Sequence, residues 1–136
     1  MELTKLMDWL SGFPLFRKVR WEVDCLPQQP GMATLTSQGV KVLDTVEDVM
    51  GNGKKTMQYT CTLAFSGNGK AQDLLDLQHW VEMENGAGAC PQFGQGRKSV
   101  SLTEGRRLSE NKLGLCLYTA QLKVTYEIYY EVNENG

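Results

Sequence analysis

At 136 residues, with 41% hydrophobic and 22% charged residues, the chain has the composition of one globular domain and not of a disordered protein. The formal net charge of −2 and the pI near 5.4 give no overall field that would favour a nucleic acid or an anionic membrane. No apolar run approaches the roughly 18 residues of a membrane span, and the N-terminal segment does not resemble a secretory signal. We therefore expect a single intracellular domain spanning residues 1–136.

The N-terminal segment predicts a helix followed by a strand. Apolar residues recur at helical spacing in residues 2–11, and Gly12 and Pro14 provide stop signals. Within residues 17–25, apolar and charged residues alternate from Lys18 to Cys25, with Trp21 on the apolar side. This alternation predicts a half-buried strand.

A β-hairpin is predicted next. Residues 32–50 are strand-like but irregular, and Gly39 indicates a bulge or an interruption. The GNGK stretch at 51–54 is typical of a hairpin turn, because Asn-Gly tolerates the positive φ angles that such a turn needs. Residues 56–65 alternate regularly and predict the returning strand.

The second half of the chain begins with a helix and a glycine-rich segment. Residues 70–84 carry an apolar stripe at helical spacing and predict the second helix. Glycines are frequent in residues 86–97, and we predict a flexible loop there, since long loops in small domains are commonly functional or disordered. If this loop serves only for contacts with other protein subunits, deleting residues 86–96 should leave the fold intact and impair only the assembly of those subunits. A short strand is expected from Val100 to Glu104.

The last predicted strand is the most regular segment. Residues 118–132 alternate between apolar and polar side chains over a length that exceeds the roughly three to ten residues of a usual strand. We expect this strand to extend past the sheet, to bend, or to pair with something outside the chain. Together the elements predict an α+β domain: a mainly antiparallel, twisted sheet of about four to six strands with two helices packed on one face.

Two stretches only partly match a phosphate-binding loop. The SGNGKA stretch that ends at Ala71 contains the terminal Gly-Lys pair of that motif. However, Ala64 stands where the first glycine belongs, and Ala71 stands where a hydroxyl would hold magnesium. The GNGKKT stretch at 51–56 fails the same comparison. We interpret both stretches as turns and predict no nucleotide cofactor.

The sequence predicts neither a catalytic set nor a metal site. His79 is the single histidine, and we interpret it as a packed or solvent-edge residue because no serine, cysteine or second histidine completes a catalytic set with it. Cys25, Cys61 and Cys116 fall in strand-like segments, where small buried side chains are typical, whereas the loop around Cys90 leaves the exposure of that thiol open. The cysteine spacing is too wide and irregular for the usual zinc sites. We expect no cofactor and no enzymatic activity.

Basic and aromatic residues near the C-terminus form the candidate interface. The basic residues could make a small positive patch for phosphates or for an acidic partner, although the glutamates between them also fit a solvated loop. The tyrosines span both faces of the last strand, and aromatic residues are enriched at protein interfaces. The predicted interface residues are Arg97, Lys98, Arg106, Arg107, Tyr126, Tyr129 and Tyr130.

The order of the elements resembles a family of phage proteins. The chain has an N-terminal helix, then a strand containing WEVD, and finally the long strand LYTAQLKVTYEIYYEV. This order resembles that of the small tail-terminator and head–tail-joining minor capsid proteins of long-tailed bacteriophages and prophages. The sharpest local likeness is SLTEGRRLSENKLGLCLYTAQLKVTYEI, residues 101–128.

The resemblance implies a non-enzymatic subunit of a ring, commonly a hexamer, at the head–tail junction or the tail end. A sheet surface would face the channel, and residues 86–96 and 105–112 would become ordered on assembly. The implied partners are further copies of the chain and other phage tail or connector proteins, without specific nucleic-acid or membrane binding. The implied location is the bacterial cytoplasm during assembly and the virion afterwards. No single residue can be transferred from this family as a defined site.

Two other functions remain open at this point. A pocket between the sheet and the helices could collect Trp21, Tyr59, His79 and Trp80, and the domain would then bind a small molecule or act as an enzyme. Alternatively, the chain could be an adaptor whose last strand pairs with the sheet edge of a partner.

Overall fold

The computed structural model of the protein describes most of the chain. The described residues are 2–27, 31–67, 72–91, 93, 95–103, 106–107 and 116–131. In chain order the elements are α1 (Glu2–Leu10), a 3-10 helix (Pro14–Phe16), β1 (Arg20–Val23), β2 (Met32–Glu47), β3 (Gly53–Gly67), α2 (Gln72–Gly86), β4 (Gln95–Leu102), β5 (Arg106–Arg107) and β6 (Cys116–Tyr130).

The strands form one mixed, mostly antiparallel sheet in the order β1-β2-β3-β6-β4, and the short β5 also pairs with β6. β1 runs parallel to β2, with Arg20 opposite Met32, and the other pairs of described strands are antiparallel. The predicted α+β class is confirmed. β1 is shorter than the strand predicted over 17–25, because the chain leaves the sheet at Asp24, whose φ of 58° lies in the left-handed region.

Both helices pack on one face of the sheet. Leu6 and Leu10 of α1 and Leu77 and Val81 of α2 are almost completely buried. Strand alternation turns one set of side chains toward them, and burial of each large apolar member stabilises the fold by roughly 1.5–3 kcal/mol. The sheet residues in this core are Ala33, Leu35, Tyr59, Cys61, Leu63, Phe65, Val100, Tyr118, Leu122, Val124 and Tyr126.

Aromatic residues fix the connection from α1 to the sheet. The backbone amide and the hydroxyl of Ser11 both donate to the Met7 carbonyl, at 2.9 and 2.7 Å, and α1 ends there. The 3-10 helix then places Phe16 edge-on to Phe65 of β3, with ring centroids 5.2 Å apart, and Phe13 edge-on to Phe16 at 5.3 Å. These contacts set where α1 lies on the sheet.

The predicted hairpin between β2 and β3 is confirmed, but its turn lies at residues 48–52 and not at 51–54, since Gly53 and Lys54 already belong to β3. The Asp48 carboxylate accepts hydrogen bonds from the amides of Met50 and Asn52, at 2.9 and 3.0 Å, and Gly51 supplies a positive φ of 87°. The strand register shifts between Ser37 and Val40, and Gly39 has a φ of 93° at this point. The predicted bulge at Gly39 is therefore confirmed.

β6 lies inside the sheet and not at its edge. It pairs with β3 along its whole length, from Cys116 opposite Gly67 to Tyr130 opposite Gly53. β4 and β5 pair with its other side between Tyr118 and Glu127. The unusual length of the last strand is matched by the equally long β3, and β6 continues past the buried part of the sheet, which was one of the three predicted alternatives. Pairing with something outside the chain stays a prediction.

The glycine-rich segment contributes to the core. Helix α2 continues to Gly86, and β4 begins already at Gln95. Between them Cys90 and Phe93 are 5% and 2% exposed, and Pro91 is also buried. Deletion of residues 86–96 would remove these core contacts, so the expectation that the fold tolerates it needs correction. Glycine content alone suggested a loose loop, but the apolar residues between the glycines are packed.

Candidate functional site

The β2–β3 hairpin continues beyond the part of the sheet that the helices cover. β2 is buried only over its first four residues, and every residue from 37 to 50 is exposed. On the neighbouring strands full burial ends at Tyr59 of β3 and Tyr126 of β6. We call residues 37–58, together with residues 127–130 of β6 that pair with them, the arm.

Exposed apolar side chains are concentrated on the arm. Of the thirteen large apolar side chains that the described residues leave exposed, eight lie there. The strand registers place Val40, Val42 and Ile128 on the same face as the buried Tyr126. These three residues are 47%, 50% and 39% exposed, respectively. Concentrated apolar surface of this kind marks contact sites on soluble proteins.

The tip of the arm presents two further apolar side chains. Val49 is fully exposed and Met50 is 61% exposed. Beside them the Tyr130 hydroxyl donates to Glu47 Oε1 at 2.8 Å, and this hydrogen bond raises the pKa of Tyr130. Lys55 Nζ lies 5.6 Å from the centroid of the Tyr130 ring. These contacts tie the end of β6 to the tip of the hairpin.

The structure separates the three tyrosines predicted at the interface. Tyr126 is 8% exposed and packs edge-on against Phe93, with centroids 5.6 Å apart, so in the single chain it belongs to the core. Tyr129 is half exposed, and its hydroxyl donates to Glu127 at 2.6 Å, which raises the pKa of Tyr129. Of the three predicted tyrosines, Tyr129 and the partly exposed Tyr130 lie on the surface of the arm.

The four predicted basic residues lie along one edge of the sheet. Arg97 and Lys98 belong to β4, and Arg106 and Arg107 form β5. Both strands pair with the same side of β6, one after the other along residues 118–127. Among the described strands none pairs with the outer side of β4. In the sequence these residues form two separate basic clusters, and the pairing of β4 and β5 with β6 places both clusters along the same side of β6.

β2 provides a second free edge. β1 pairs with it only as far as Leu35, so no described strand lies beside its outer side from Thr36 to Glu47. Within this stretch Lys41 accompanies the acidic Asp44 and Glu47. An unpaired strand edge is a template for pairing with another chain. Sequence reasoning missed this edge because alternation identifies strands without giving their order in a sheet.

The predicted small-molecule pocket is not assembled. Trp21 packs on Phe16 at 5.5 Å, and Tyr59 is buried in the core. His79 and Trp80 do share a surface groove of about 590 Å³ on α2. His79 is exposed, as expected, and the groove lining contains neither a serine nor a cysteine.

Of the three cysteines whose side chains the structure describes, two are buried and one is exposed. Cys61 is completely buried, and burial raises its pKa to about 12. Cys90 is buried as well, and this burial raises its pKa, although nearby Lys98 opposes the shift. Cys25 is exposed, contrary to the expectation from its strand-like segment, because β1 ends before it. No group of three or more His, Cys, Asp or Glu side chains among the described residues is placed to hold a metal ion.

Several predicted features fall outside the described residues. They include the Gly-Lys turn at 68–71 and most of the 105–112 segment. Within the described part of the chain, no helix is long and apolar enough to cross a membrane.

Comparison with known proteins does not identify a family. No protein-family model matches the chain, and no curated protein matches it significantly. The resemblance to tail-terminator and head–tail-joining proteins is tested by neither comparison and stays a prediction.

Proposed function

We propose that the protein is a non-enzymatic structural subunit that self-associates, and that it serves at the head–tail junction or tail end of a bacteriophage or prophage particle. The observation that carries self-association is the arm, whose apolar side chains are exposed in the single chain. The phage assignment draws on the resemblance of residues 101–128.

The arm offers a free-energy gain that a single chain cannot realise. Covering apolar surface stabilises a complex by roughly 25 cal/mol per Å², and specific interfaces bury about 1,200–2,000 Å² in total. Val40, Val42 and Ile128 face the side on which the helices lie, but beyond the region that the helices cover. A neighbouring subunit on this face would complete the second layer of the sheet.

The chemistry of the surface supports a structural role more than a catalytic one. His79, the histidine of the chain, lines a surface groove. The lining of this groove contains no serine or cysteine that the imidazole of His79 could activate as a nucleophile. The two buried thiols, Cys61 and Cys90, have raised pKa values, which disfavours the reactive thiolate.

The proposed assembly is a ring, with six subunits if the resemblance holds. Its partners are further copies of the chain and the other tail or connector proteins of the particle. The chain resides in the bacterial cytoplasm before assembly and in the virion afterwards. Mass spectrometry of particles from the bacterium that encodes it tests this location, and particles that lack the chain would contradict it.

The first experiment measures solution mass by light scattering from micromolar to millimolar concentration, followed by negative-stain imaging. We expect the mass to rise toward that of a ring. Replacing Val40, Val42 and Ile128 together by threonine should shift this rise to at least about tenfold higher concentration, because buried apolar anchors dominate interfaces.

A matched control keeps the arm intact. Leu75 and Met83 on α2 are 57% and 60% exposed, and replacing both by glutamine removes similar apolar surface from the helical layer. This control should associate like the wild type. A wild type that stays monomeric throughout, or a triple threonine variant that associates normally, would argue against the arm as the contact surface.

A further inference from the structure

The two free edges of the sheet carry opposite charge. The β2 edge and the turn that follows it, residues 36–48, contain one lysine and three acidic residues. On the opposite side, the β4–β5 edge, formed by residues 95–102 and 106–107, contains four basic residues and no acidic residue, while Glu104 lies between the two strands in the sequence. β4 is the last strand on one side of the sheet. On the other side β1 is the last strand, but it pairs with β2 only as far as Leu35, so β2 forms the edge from Thr36 onward.

We propose that these edges meet between copies: the β2 edge of one subunit pairs with the β4 edge of the next, and the sheet continues from subunit to subunit. This inference rests on the proposed self-association and adds which surfaces meet. Backbone hydrogen bonds would supply part of the affinity, as in other cases of strand addition to an open edge.

The opposite charges of the two edges favour a second copy of the chain as the partner, in a head-to-tail arrangement. Two β2 edges would bring acidic side chains together, and two β4 edges would bring basic side chains together, so symmetric pairing of either edge is disfavoured. The pairing of β2 with β4 places an acidic edge beside a basic edge. It also leaves one free edge of each kind on any dimer, and such a contact closes only in a ring or continues as a filament.

The backbone indicates which parts of the edges can pair. Bulges in a strand hinder edge pairing, and β2 shifts register between Ser37 and Val40 and again between Val42 and Asp44. From Asp44 to Glu47 its register is regular, and that of β4 is regular from Ser99 to Leu102. On β2 the regular stretch contains the acidic Asp44 and Glu47. On β4 the register shifts between Gln95 and Ser99, where Arg97 and Lys98 lie, so these basic residues directly precede the stretch that can pair.

The test reverses the charge of each edge separately. The acidic-edge variant carries Asp44→Lys and Glu47→Lys, and the basic-edge variant carries Arg97→Glu and Lys98→Glu. Each variant alone should associate at least about tenfold more weakly than the wild type, because like charges then face each other. An equimolar mixture should regain wild-type association, since each edge of one variant is again complementary to an edge of the other.

Matched controls place the same charge changes away from both edges. Asp76→Lys with Glu82→Lys changes exposed positions of α2, and Arg17→Glu with Lys18→Glu changes exposed positions before β1. Both controls should associate like the wild type. Circular dichroism and thermal unfolding verify that each variant is folded. Since Glu47 accepts a hydrogen bond from Tyr130, Asp44→Lys alone replaces the double variant if that one does not fold.

The outcomes separate this inference from the proposed function. If the wild type associates and the edge variants associate equally well, or if the mixture fails to recover, the edge pairing is wrong while self-association stands. A defect confined to the basic-edge variant, without recovery on mixing, would mean that the basic edge contacts an acidic surface of the chain other than the β2 edge, and would overturn the proposal. A wild type that remains monomeric at every concentration would overturn both.

Discussion

Phe93 anchors the segment between α2 and β4. Its ring is 2% exposed and lies edge-on to Tyr59 and Tyr126, with a centroid distance of 5.6 Å to each. Lys5 Nζ of α1 lies 5.9 Å from the same ring. One side chain therefore joins a loop to both central strands and to the first helix.

Phe93→Ala should destabilise the fold by about 3–5 kcal/mol, because truncation of a buried aromatic side chain leaves a cavity. Urea unfolding of the wild type and the variant measures the difference. Leu75→Ala, at a position on α2 that is 57% exposed, serves as the control and should change stability by less than about 0.5 kcal/mol. A loss below about 1 kcal/mol for Phe93→Ala would show that the ring is not a core residue.

Cys61 should make stability depend on pH in the alkaline range. Burial raises its pKa from the ordinary 9.0 to about 12, so the folded chain keeps a neutral thiol where the unfolded chain ionises. Its contribution is complete below about pH 9 and is lost between about pH 9 and 12, by about 1.4 kcal/mol per pH unit. The stability gap between the wild type and Cys61→Ala should shrink accordingly above pH 9. A gap that stays constant with pH would contradict the raised pKa.

At the scale of single elements, the arm depends on close backbone approach near its tip. A Cβ atom at Gly53 would collide with the Val46 carbonyl oxygen and would lie 2.7 Å from the Tyr130 hydroxyl oxygen. Glycine is therefore required where β3 begins, and the requirement comes from space between three strands and not from φ.

Gly53→Ala should open the tip of the arm while the core persists. We expect faster hydrogen exchange of the amides in residues 46–56, with little change in the buried strands, because only the distal pairs of β2, β3 and β6 are disturbed. Gly86→Ala is the control, since nothing lies within 4 Å of its added Cβ. Exchange in the arm that matches the wild type would show that the tip accommodates the methyl group.

Local patterns predict the elements well, and long-range pairing accounts for what they miss. The alternation of residues 56–65 and the stripe of residues 2–11 report burial on one face, a property that neighbouring residues share. The packing of Phe93 between two strands is invisible to such patterns, since its partners lie far away in sequence. For the same reason alternation identified β6 as a long strand but not its central position.

At the scale of the whole molecule, a covered core region adjoins an uncovered arm. The basic residues of the candidate interface were recognised from the sequence, and so were Tyr129 and Tyr130. The β2 edge and the apolar face of the arm were not, because both are defined by where the helices stop and where β1 ends. A short β1 thus determines how much of the outer edge of β2 is left without a neighbouring described strand.

The central position of β6 also has a consequence for synthesis on the ribosome. β3 is complete at residue 67, but its partner begins only at residue 116, and β4 and β5 also need β6 beside them. β6 must therefore emerge before the two parts of the sheet can join, and contacts so distant in sequence form slowly. Until then the edge of β3 that β6 will occupy is unpaired, and an unpaired strand edge can pair with other chains, so a chaperone that covers this edge would act in this interval.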